Sequence, residues 1–304
     1  MTEASPGVPV PLRAAILAWY DALGRSLPFR GVGDPYLILV SEVMAQQTQI
    51  ARVGEAWREF TTTFPTFEGL ADASPADVLR AWRGLGYNRR ALNLWRAARV
   101  VVDQHGGRLP SDVEALERLP GIGPYTARAV AAIAFGAPVG AVDTNVRRVL
   151  GRTMAGATDA LSAADLQRLA DASVPPDRAA DWTHALMDVG ATFCRTVRPA
   201  CDACPARRWC RFSADAIPSI AATPSRTSAR NRERAVPFSS SSRWLRGRIL
   251  DRLREVAGPN WLELAVPIGD HDRMAVARAL ELLAAEGLVE RHPDSELRAR
   301  LPLG

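Results

Sequence analysis

The sequence of 304 residues contains no lysine, so all 38 of its basic residues are arginine. Whatever the origin of this bias, the chain has no lysine amine with which to form a Schiff base. It also lacks long apolar runs, since stretches such as 129–134 are far shorter than a membrane span, and its N-terminus lacks the basic-then-apolar pattern of a secretory signal. We therefore expect a cytoplasmic protein with no membrane partner.

Hydrophobic residues make up 47% of the sequence, enough to bury a large core, and the length predicts two or three domains. The net charge of +5 and a pI near 9.5 favour a polyanionic partner. A basicity this modest is equally compatible with a surface whose charges simply keep it solvated.

Apolar residues recur with the helical period, and no segment before residue 260 alternates as a strand does, which predicts an all-α body. We predict helices at about 12–23, 34–49, 53–60, 75–82, 89–104, 111–118, 124–135, 145–150, 162–173 and 176–189. Residues 214–242, rich in Pro, Ser, Thr and Arg, predict a basic flexible linker. Residues 243–304 follow it with helices at about 243–256 and 272–285 and two short strands around 293–295, the order of a winged-helix-like module.

The segment 111–150, SDVEALERLPGIGPYTARAVAAIAFGAPVGAVDTNVRRVL, contains two helix starts with unusual chemistry. Ser111 and Glu114 form a capping-box pattern. Gly121 and Gly123 remove side chains ahead of the next helix, so backbone N–H groups there can approach a phosphate closely. Asp143 precedes a further helix, where it is most simply an N-cap.

Glu42 is an acid within an otherwise apolar helical run. Such a residue lies either on the polar face or partly buried with a raised pKa, and helical spacing alone favours the surface.

The sequence has only four cysteines, arranged as C-x6-C-x2-C-x5-C within seventeen residues: Cys194, Cys201, Cys204 and Cys210. Clustered thiols of this kind are more typical of metal ligands than of disulfides. Four thiolates bind either a structural zinc ion or a 4Fe-4S cluster, and the spacing alone leaves both open.

The glycine hairpin, the following aspartate and the four cysteines together resemble the helix-hairpin-helix DNA glycosylases that carry an iron–sulfur cluster, the endonuclease III superfamily. The resemblance covers about residues 12–213. It implies a 4Fe-4S cluster rather than zinc, and an all-α, two-lobed fold. In that fold residues 1–25 and 137–213 would form the cluster lobe, and residues 26–136 a six-helix lobe that includes the hairpin.

Within the superfamily, four stretches resemble the MutY-type adenine glycosylases: SEVMAQQTQ at 41–49, GLGY at 84–87, VDTN at 142–145 and LMDVG at 186–190. Strand-cutting relatives place a lysine where this chain has Tyr125. The chain departs from the pattern at Phe29, Ala45 and Asn88. It also leaves no room for the Nudix-like C-terminal domain that reads 8-oxoguanine in those enzymes.

The resemblance implies a monofunctional, monomeric, nucleoid-associated glycosylase that flips adenine out of double-stranded DNA opposite 8-oxoguanine or G and hydrolyses its glycosidic bond. The alternatives are a glycosylase for another base, such as T or U opposite G or hypoxanthine, and a non-catalytic iron–sulfur DNA-binding protein. Carried over to this chain, the catalytic residues are Glu42, Asp143, Asn145 and Tyr125. The expected contacts to DNA or the base pocket come from Arg30, Gln46, Gln47, Tyr87, Gly121, Gly123 and Asp188.

Overall fold

A computed structural model describes residues 7–212 and 237–304. The helices are α1 Val10–Leu23, α2 Pro35–Ala45, α3 Ile50–Thr63, α4 Phe67–Ala71, α5 Pro75–Ala81, α6 Arg89–His105, α7 Val113–Glu117, α8 Pro124–Phe135, α9 Thr144–Ala155, α10 Ala163–Ser173, α11 Ala179–Thr192, α12 Ser242–Arg254 and α13 Arg273–Ala285. The strands are β1 Leu262–Glu263, β2 Glu290–Arg291 and β3 Arg298–Arg300. No strand precedes residue 262 in the described residues, and the predicted all-α body is confirmed.

Helix ends differ from the predictions where a local conformation intervenes. The helix predicted to run through residue 49 ends at Ala45, because Gln47 adopts a left-handed backbone with φ of 53°. The predicted capping box at Ser111 is wrong. Asp112 caps α7 instead, since its side chain accepts the Ala115 N–H at 2.8 Å. The short helix α4, which begins after the N-cap Thr66, was not predicted.

The described residues pack into two compact units, the first made of residues 7–43 and 109–212. Its core lies among α1, α9, α10 and α11 and is built from large apolar side chains: Leu12, Ile16, Val149, Leu166, Trp182, Leu186 and Val189. Helix α8 packs on α11 and contributes Ala132 to the same core. This burial holds the hairpin helix against the helix that leads into the cysteines.

The second unit consists of residues 44–108 and 237–304. The edge of the Trp82 ring meets Phe60 at 5.7 Å between centroids, joining α3 to the end of α5. Helices α12 and α13 bury Leu245, Ile249, Val276 and Leu280. The strands form an antiparallel sheet in the order β1-β3-β2, with Leu262 opposite Ala299 and Glu290 opposite Arg300. Paired strands thus lie on either side of residues 293–295, while the winged-helix interpretation stays a prediction.

The predicted domain boundaries cut the chain differently. They place the hairpin with residues 26–136, whereas residues 109–136 pack with the segment that carries the cysteines. Arg128 of α8 illustrates this packing, since its guanidinium pairs with Asp171 of α10 and its Nε donates to the Gly140 carbonyl at 3.0 Å. The boundaries themselves stay a prediction, and most of the predicted linker, residues 214–236, lies outside the described residues. None of the described helices is long and apolar enough to span a membrane.

The close approach of α9 and α11 yields a stability prediction. A Cβ atom on Gly190 would lie 2.5 Å from Cβ of Asn145. We expect Gly190→Ala to lower the free energy of unfolding by about 1–3 kcal/mol, the usual cost of overpacking a core, measured by urea denaturation. Gly247→Ala is the control, because nothing lies within 4 Å of the added Cβ and alanine favours the helix. An undiminished stability of Gly190→Ala would contradict the packing described here.

Candidate active site

Glu42 lies on α2, a helix whose residues are buried on nearly every side. The Tyr125 hydroxyl donates a hydrogen bond to its Oε2 at 3.3 Å. Burial raises the pKa of Glu42 to about 7, assisted by the Asp143 carboxylate and opposed by the Tyr125 hydrogen bond and by Arg30. The expectation that Glu42 lies on the surface is therefore wrong. Glu42 is partly buried, because most of its neighbours along this apolar helix are buried.

Asp143 is the N-cap of α9, as predicted. One carboxylate oxygen accepts the Val146 backbone N–H at 2.6 Å, and the other accepts the Asn145 side-chain amide at 2.9 Å. Each oxygen thus receives one hydrogen bond. The result is a carboxylate with a fixed orientation.

Arg148, which the sequence did not single out, holds Asn145 and through it Asp143. Its guanidinium is buried and donates to Oδ1 of Asn145 at 2.7 Å and to the Gly190 carbonyl at 2.9 Å. Its Nε donates to the carbonyl of Cys194. A continuous series of hydrogen bonds therefore runs from the first cysteine through Arg148 and Asn145 to Asp143. The predicted positioning role of Asn145 has a concrete partner in this contact.

Tyr125 follows Pro124 in the first turn of α8 and is half-buried. Burial and the nearby carboxylates of Glu42 and Asp143 raise the pKa of its phenol well above its ordinary value. The hydroxyl consequently stays protonated at physiological pH and acts as a hydrogen-bond donor.

Asp188 and Arg30, both predicted around the base pocket, pair with each other. Asp188 is fully buried, and Arg30 binds it through two hydrogen bonds of 2.7 and 2.8 Å. Arg25, which the sequence did not suggest, adds its backbone N–H at 2.9 Å and its Nε at 2.6 Å. Burial alone would raise the pKa of Asp188, but the two arginines more than offset it and leave the pKa below its usual value. A direct contact of Arg30 or Asp188 with substrate stays a prediction.

The hairpin between α7 and α8 places Gly121 and Gly123 at the surface. Gly121 has φ of 78°, a left-handed conformation that favours glycine. A Cβ added to Gly123 would have no neighbouring atom within 4 Å. The backbone at the start of α8 is therefore accessible, as anion binding at a helix N-terminus requires.

Gln46, Gln47 and Tyr87 belong to the second unit, where Arg90 connects their two loops. Arg90 donates from one nitrogen to the carbonyls of Met44 at 2.9 Å and Gln46 at 2.5 Å. Its other terminal nitrogen donates to the Thr48 hydroxyl at 3.0 Å and to the carbonyls of Leu85 and Gly86 at 3.2 Å. Gln47 and Tyr87 both have positive φ, 53° and 44°, conformations that surrounding contacts must impose. Arg90 supplies such contacts to both loops, a role that its position in the sequence does not indicate.

The four cysteines line a single cavity of the first unit, with an empty volume of about 400 Å³ that includes open solvent. Among the described residues, no three His, Cys, Asp or Glu side chains are grouped closely enough for one metal ion. Arg152 lines the same cavity with a buried Nε that has no hydrogen-bond partner in the described part of the chain. The cysteines and this cation fit an anionic thiolate cluster.

The sequence matches the family model described as HhH-GPD superfamily base excision DNA repair protein over residues 40–175. An adenine DNA glycosylase of Mycolicibacterium smegmatis is 42% identical over 282 residues, which cover 92% of this chain and 92% of that protein. The chain therefore belongs to the HhH-GPD superfamily, which confirms the predicted family and fold.

Two further similarities come from other glycosylases. A thymine/uracil-DNA glycosylase of Methanothermobacter thermautotrophicus is 32% identical over 202 residues, covering 66% of this chain and 91% of that protein. The solved structure of a thermostable thymine-DNA glycosylase superposes with a TM-score of 0.62 at 32% identity, covering 66% of this chain and 94% of that chain.

The buried charge of Asp188 gives a second prediction. Asp188→Asn leaves Arg25 and Arg30 without their carboxylate, and breaking a buried ion pair costs about 3–5 kcal/mol of unfolding free energy at neutral pH. Because folding lowers the pKa of Asp188, its contribution is present above the unfolded pKa of about 3.9 and is lost as the pH falls through the folded pKa. The stability gap between wild type and variant should narrow below about pH 4.

Urea denaturation of both proteins at several pH values measures this gap. Asp181→Asn on the same helix is the control, because its ion pair with Arg178 is exposed and should be worth less than about 1 kcal/mol. A gap for Asp188→Asn that is small, or constant with pH, would contradict the structural role of this carboxylate.

Proposed function

We propose that this protein is a monofunctional adenine DNA glycosylase that flips adenine out of a mispair with 8-oxoguanine or G and hydrolyses its N-glycosidic bond. The observation that carries the proposal is the pairing of two unlike acids in the first unit. Glu42 is partly buried and has a pKa near 7, while Asp143 is held by hydrogen bonds at a helix N-terminus. Adjacent carboxyl groups in such different environments are suited to opposite roles in one reaction.

Glu42 is the general acid. Departure of adenine requires a proton on the base, and a carboxylic acid with a pKa of about 7 is half protonated near neutral pH. It donates that proton to N7 of the flipped adenine, and the resulting carboxylate then accepts a proton from the attacking water. Tyr125 keeps Glu42 in place through its hydrogen bond.

Asp143 provides the negative charge. As the glycosidic bond breaks, positive charge develops on the sugar, and a fixed carboxylate stabilises it or forms a transient covalent adduct, as carboxylates do in glycoside hydrolysis. Because Asn145 and Val146 hold the carboxylate before the reaction, little reorganisation is needed when the charge appears.

The absence of lysine argues for hydrolysis without strand cleavage. No lysine amine is available to attack the sugar, and the phenol of Tyr125 occupies the hairpin helix at the position where strand-cutting relatives carry that lysine. We infer that the product is an intact abasic strand.

The cysteine loop would hold the 4Fe-4S cluster through Cys194, Cys201, Cys204 and Cys210. The bound cluster supplies iron–thiolate bonds that cross-link this loop, and hydrolysis of a glycosidic bond needs no electron transfer. Arginines around it, including Arg195, Arg198 and Arg207, offer positive charge to the DNA backbone. The hairpin at Gly121 and Gly123 would bind one phosphate of the duplex. The protein would act as a monomer at the nucleoid.

Similarity over nearly the whole chain supports adenine as the substrate. The Mycolicibacterium smegmatis relative is named adenine DNA glycosylase, and the match covers 92% of its length. A match over 92% of this chain also includes most of the C-terminal module. Similarity to thymine glycosylases is lower, at 32% identity over 66% of the chain.

Duplexes carrying single mispairs test the proposed substrate. We expect the cluster-loaded protein to generate alkali-labile abasic sites from A opposite 8-oxoguanine and A opposite G, without strand breaks before alkali treatment. Borohydride should trap little protein on the DNA, because a Schiff base has no lysine to form on. The Asp143→Asn protein, prepared in parallel, should produce no abasic sites and thereby exclude a contaminating enzyme.

Other outcomes would overturn parts of this proposal. Excision of thymine, uracil or hypoxanthine but not adenine would assign a different substrate. Cleavage of no duplex at all would indicate a DNA-binding protein without catalysis, and efficient borohydride trapping would overturn the monofunctional mechanism.

The pKa of Glu42 predicts the pH dependence of excision. The single-turnover rate should be level below pH 7 and fall about tenfold per pH unit above it, because only protonated Glu42 donates. Tyr125→Phe removes a hydrogen bond that lowers this pKa, so the alkaline fall should move to higher pH. Glu42→Gln should lower the rate about 10²–10⁴-fold below pH 7, and the deficit should shrink as the pH rises above 7 and wild-type Glu42 loses its proton. An alkaline limb that does not respond to Tyr125→Phe would contradict Glu42 as the acid.

A further inference from the structure

The cavity that the four cysteines line also contains a buried cation. Arg152 of α9 lines this cavity and is 6% exposed. Its Nε is buried and has no hydrogen-bond partner within the described residues. A charged donor left unsatisfied in this way is unfavourable, and an acceptor inside the cavity would remove that cost. The unpaired nitrogen is therefore an observation, separate from the cysteines themselves, that points to an anionic ligand.

The rest of the guanidinium is fixed by contacts on both sides of the cysteine segment. Nη1 of Arg152 donates to the Arg195 carbonyl at 2.8 Å and to Sγ of Cys194 at 3.7 Å. Nη2 donates to the Thr196 carbonyl at 3.3 Å, and Cζ lies 4.4 Å from the centroid of the Phe212 ring. Apart from the sulfur, these partners carry no charge. They hold the cation beside a cysteine without neutralising it.

A buried guanidinium is ordinarily paired with a carboxylate. Arg30 of the same unit follows this pattern, since Asp188 lies 2.7 Å from its Nη1. Arg152 forms no such ion pair within the described ranges, and its polar contacts there are two carbonyls and one sulfur. When Cys194 serves as a thiolate ligand of a cluster, that sulfur supplies the negative charge that the arginine otherwise lacks.

The charge of such a neighbour affects the stability of a cluster towards oxidation. A 4Fe-4S core bound by four thiolates has a net negative charge, and the loss of one electron makes that negative charge smaller. A fixed cation therefore stabilises the unoxidised form more than the oxidised form, as does an N–H hydrogen bond to a ligand sulfur. The effect is strongest at a buried site, because water and salt screen it little there.

We propose that Arg152 is the counter-ion of the 4Fe-4S cluster and protects the cluster from one-electron oxidation. The oxidant is a soluble one-electron acceptor, which takes one electron from the cluster while no covalent bond forms or breaks. Arg152 raises the reduction potential and prolongs the lifetime of the cluster, and it takes no part in excision itself. The inference rests on the cluster proposed above and not on which base is excised.

Potentiometric titration of the cluster-loaded full chain, free of DNA, tests this role. Arg152→Gln removes the charge and keeps an amide donor. We expect it to favour the oxidised form about tenfold, a shift of about 59 mV to lower potential for a one-electron couple. Arg152→Lys keeps the charge and should stay closer to the wild-type potential. The control is Arg208→Gln, which removes an exposed arginine that does not line the cavity and should leave the potential unchanged.

Oxidation by ferricyanide gives a second readout. This acceptor takes one electron from the cluster and becomes ferrocyanide, and the decay of the visible absorbance of the cluster is followed with time. We expect the cluster of Arg152→Gln to be lost several-fold faster than that of the wild type or of Arg208→Gln. Arg152→Lys should lose its cluster more slowly than Arg152→Gln, because it retains the positive charge.

Arg152 also supports the carbonyls of its loop, and losing that support can by itself prevent cluster loading. Iron and sulfide analysis of the purified variants separates the two roles. Both substitutions remove bonds to the loop carbonyls, but only Arg152→Gln removes the charge. Low loading in Arg152→Gln but not in Arg152→Lys would support the counter-ion. Low loading in both would reduce Arg152 to a support for the loop and overturn the proposal.

Other results would overturn it as well. A wild-type potential in Arg152→Gln, or a potential equally low in Arg152→Lys, would remove the charge of Arg152 from the control of the cluster. An equal shift in Arg208→Gln would make the effect one of overall charge. Zinc in place of iron in the wild type would remove the proposed cofactor together with this inference, whereas a failure to excise adenine would leave the inference standing.

Discussion

The orientation of Asp143, the proposed catalytic carboxylate, depends on one buried guanidinium. Arg148 of α9 donates from Nε to the carbonyl of Cys194, and its Nη2 donates both to the Gly190 carbonyl of α11 and to the side chain of Asn145. Asn145 in turn holds Asp143. The orientation of the carboxylate is thus coupled to the packing of two helices and to the start of the cysteine loop. Because Arg148 is buried, any change that displaced one of these acceptors would leave a charged donor unsatisfied, which is strongly unfavourable.

Arginine plays this structural role repeatedly. Arg90 connects the loops of Gln46 and Tyr87 through five acceptors, and Arg254 attaches the C-terminal module through a carbonyl and an amide. A guanidinium presents five donors in a plane, so one residue can satisfy several carbonyl groups that diverge from each other. A lysine ammonium has three donors on one atom and could not span these acceptors. The composition of the chain thus excludes lysine chemistry and at the same time supplies the bonds that shape its loops.

Most local features follow from local sequence. The helical period placed most of the helices, and Asp143 is the N-cap that its position suggested. Errors arose where neighbouring residues compete for one role, or where a residue distant in sequence intervenes. Asp112 outcompetes Ser111 for the cap of α7, and Gln47 leaves the helix because Arg90, far along the chain, holds the preceding carbonyls. The spacing of Glu42 favoured the surface because spacing does not reveal that most residues of α2 are buried.

By itself, the sequence determined the all-α class of the body, the glycine hairpin, the C-x6-C-x2-C-x5-C spacing of the cysteines and the absence of lysine chemistry. Each of these depends only on residue types and on neighbours a few positions away. The tertiary structure alone decided that Glu42 has a pKa near 7, that Asp188 is neutralised by Arg25 and Arg30, and that Arg243 lies over Tyr87. These properties arise from desolvation and from charges that meet across distant parts of the chain. Both depend on what surrounds a side chain in space, and the order of residues does not contain that information locally.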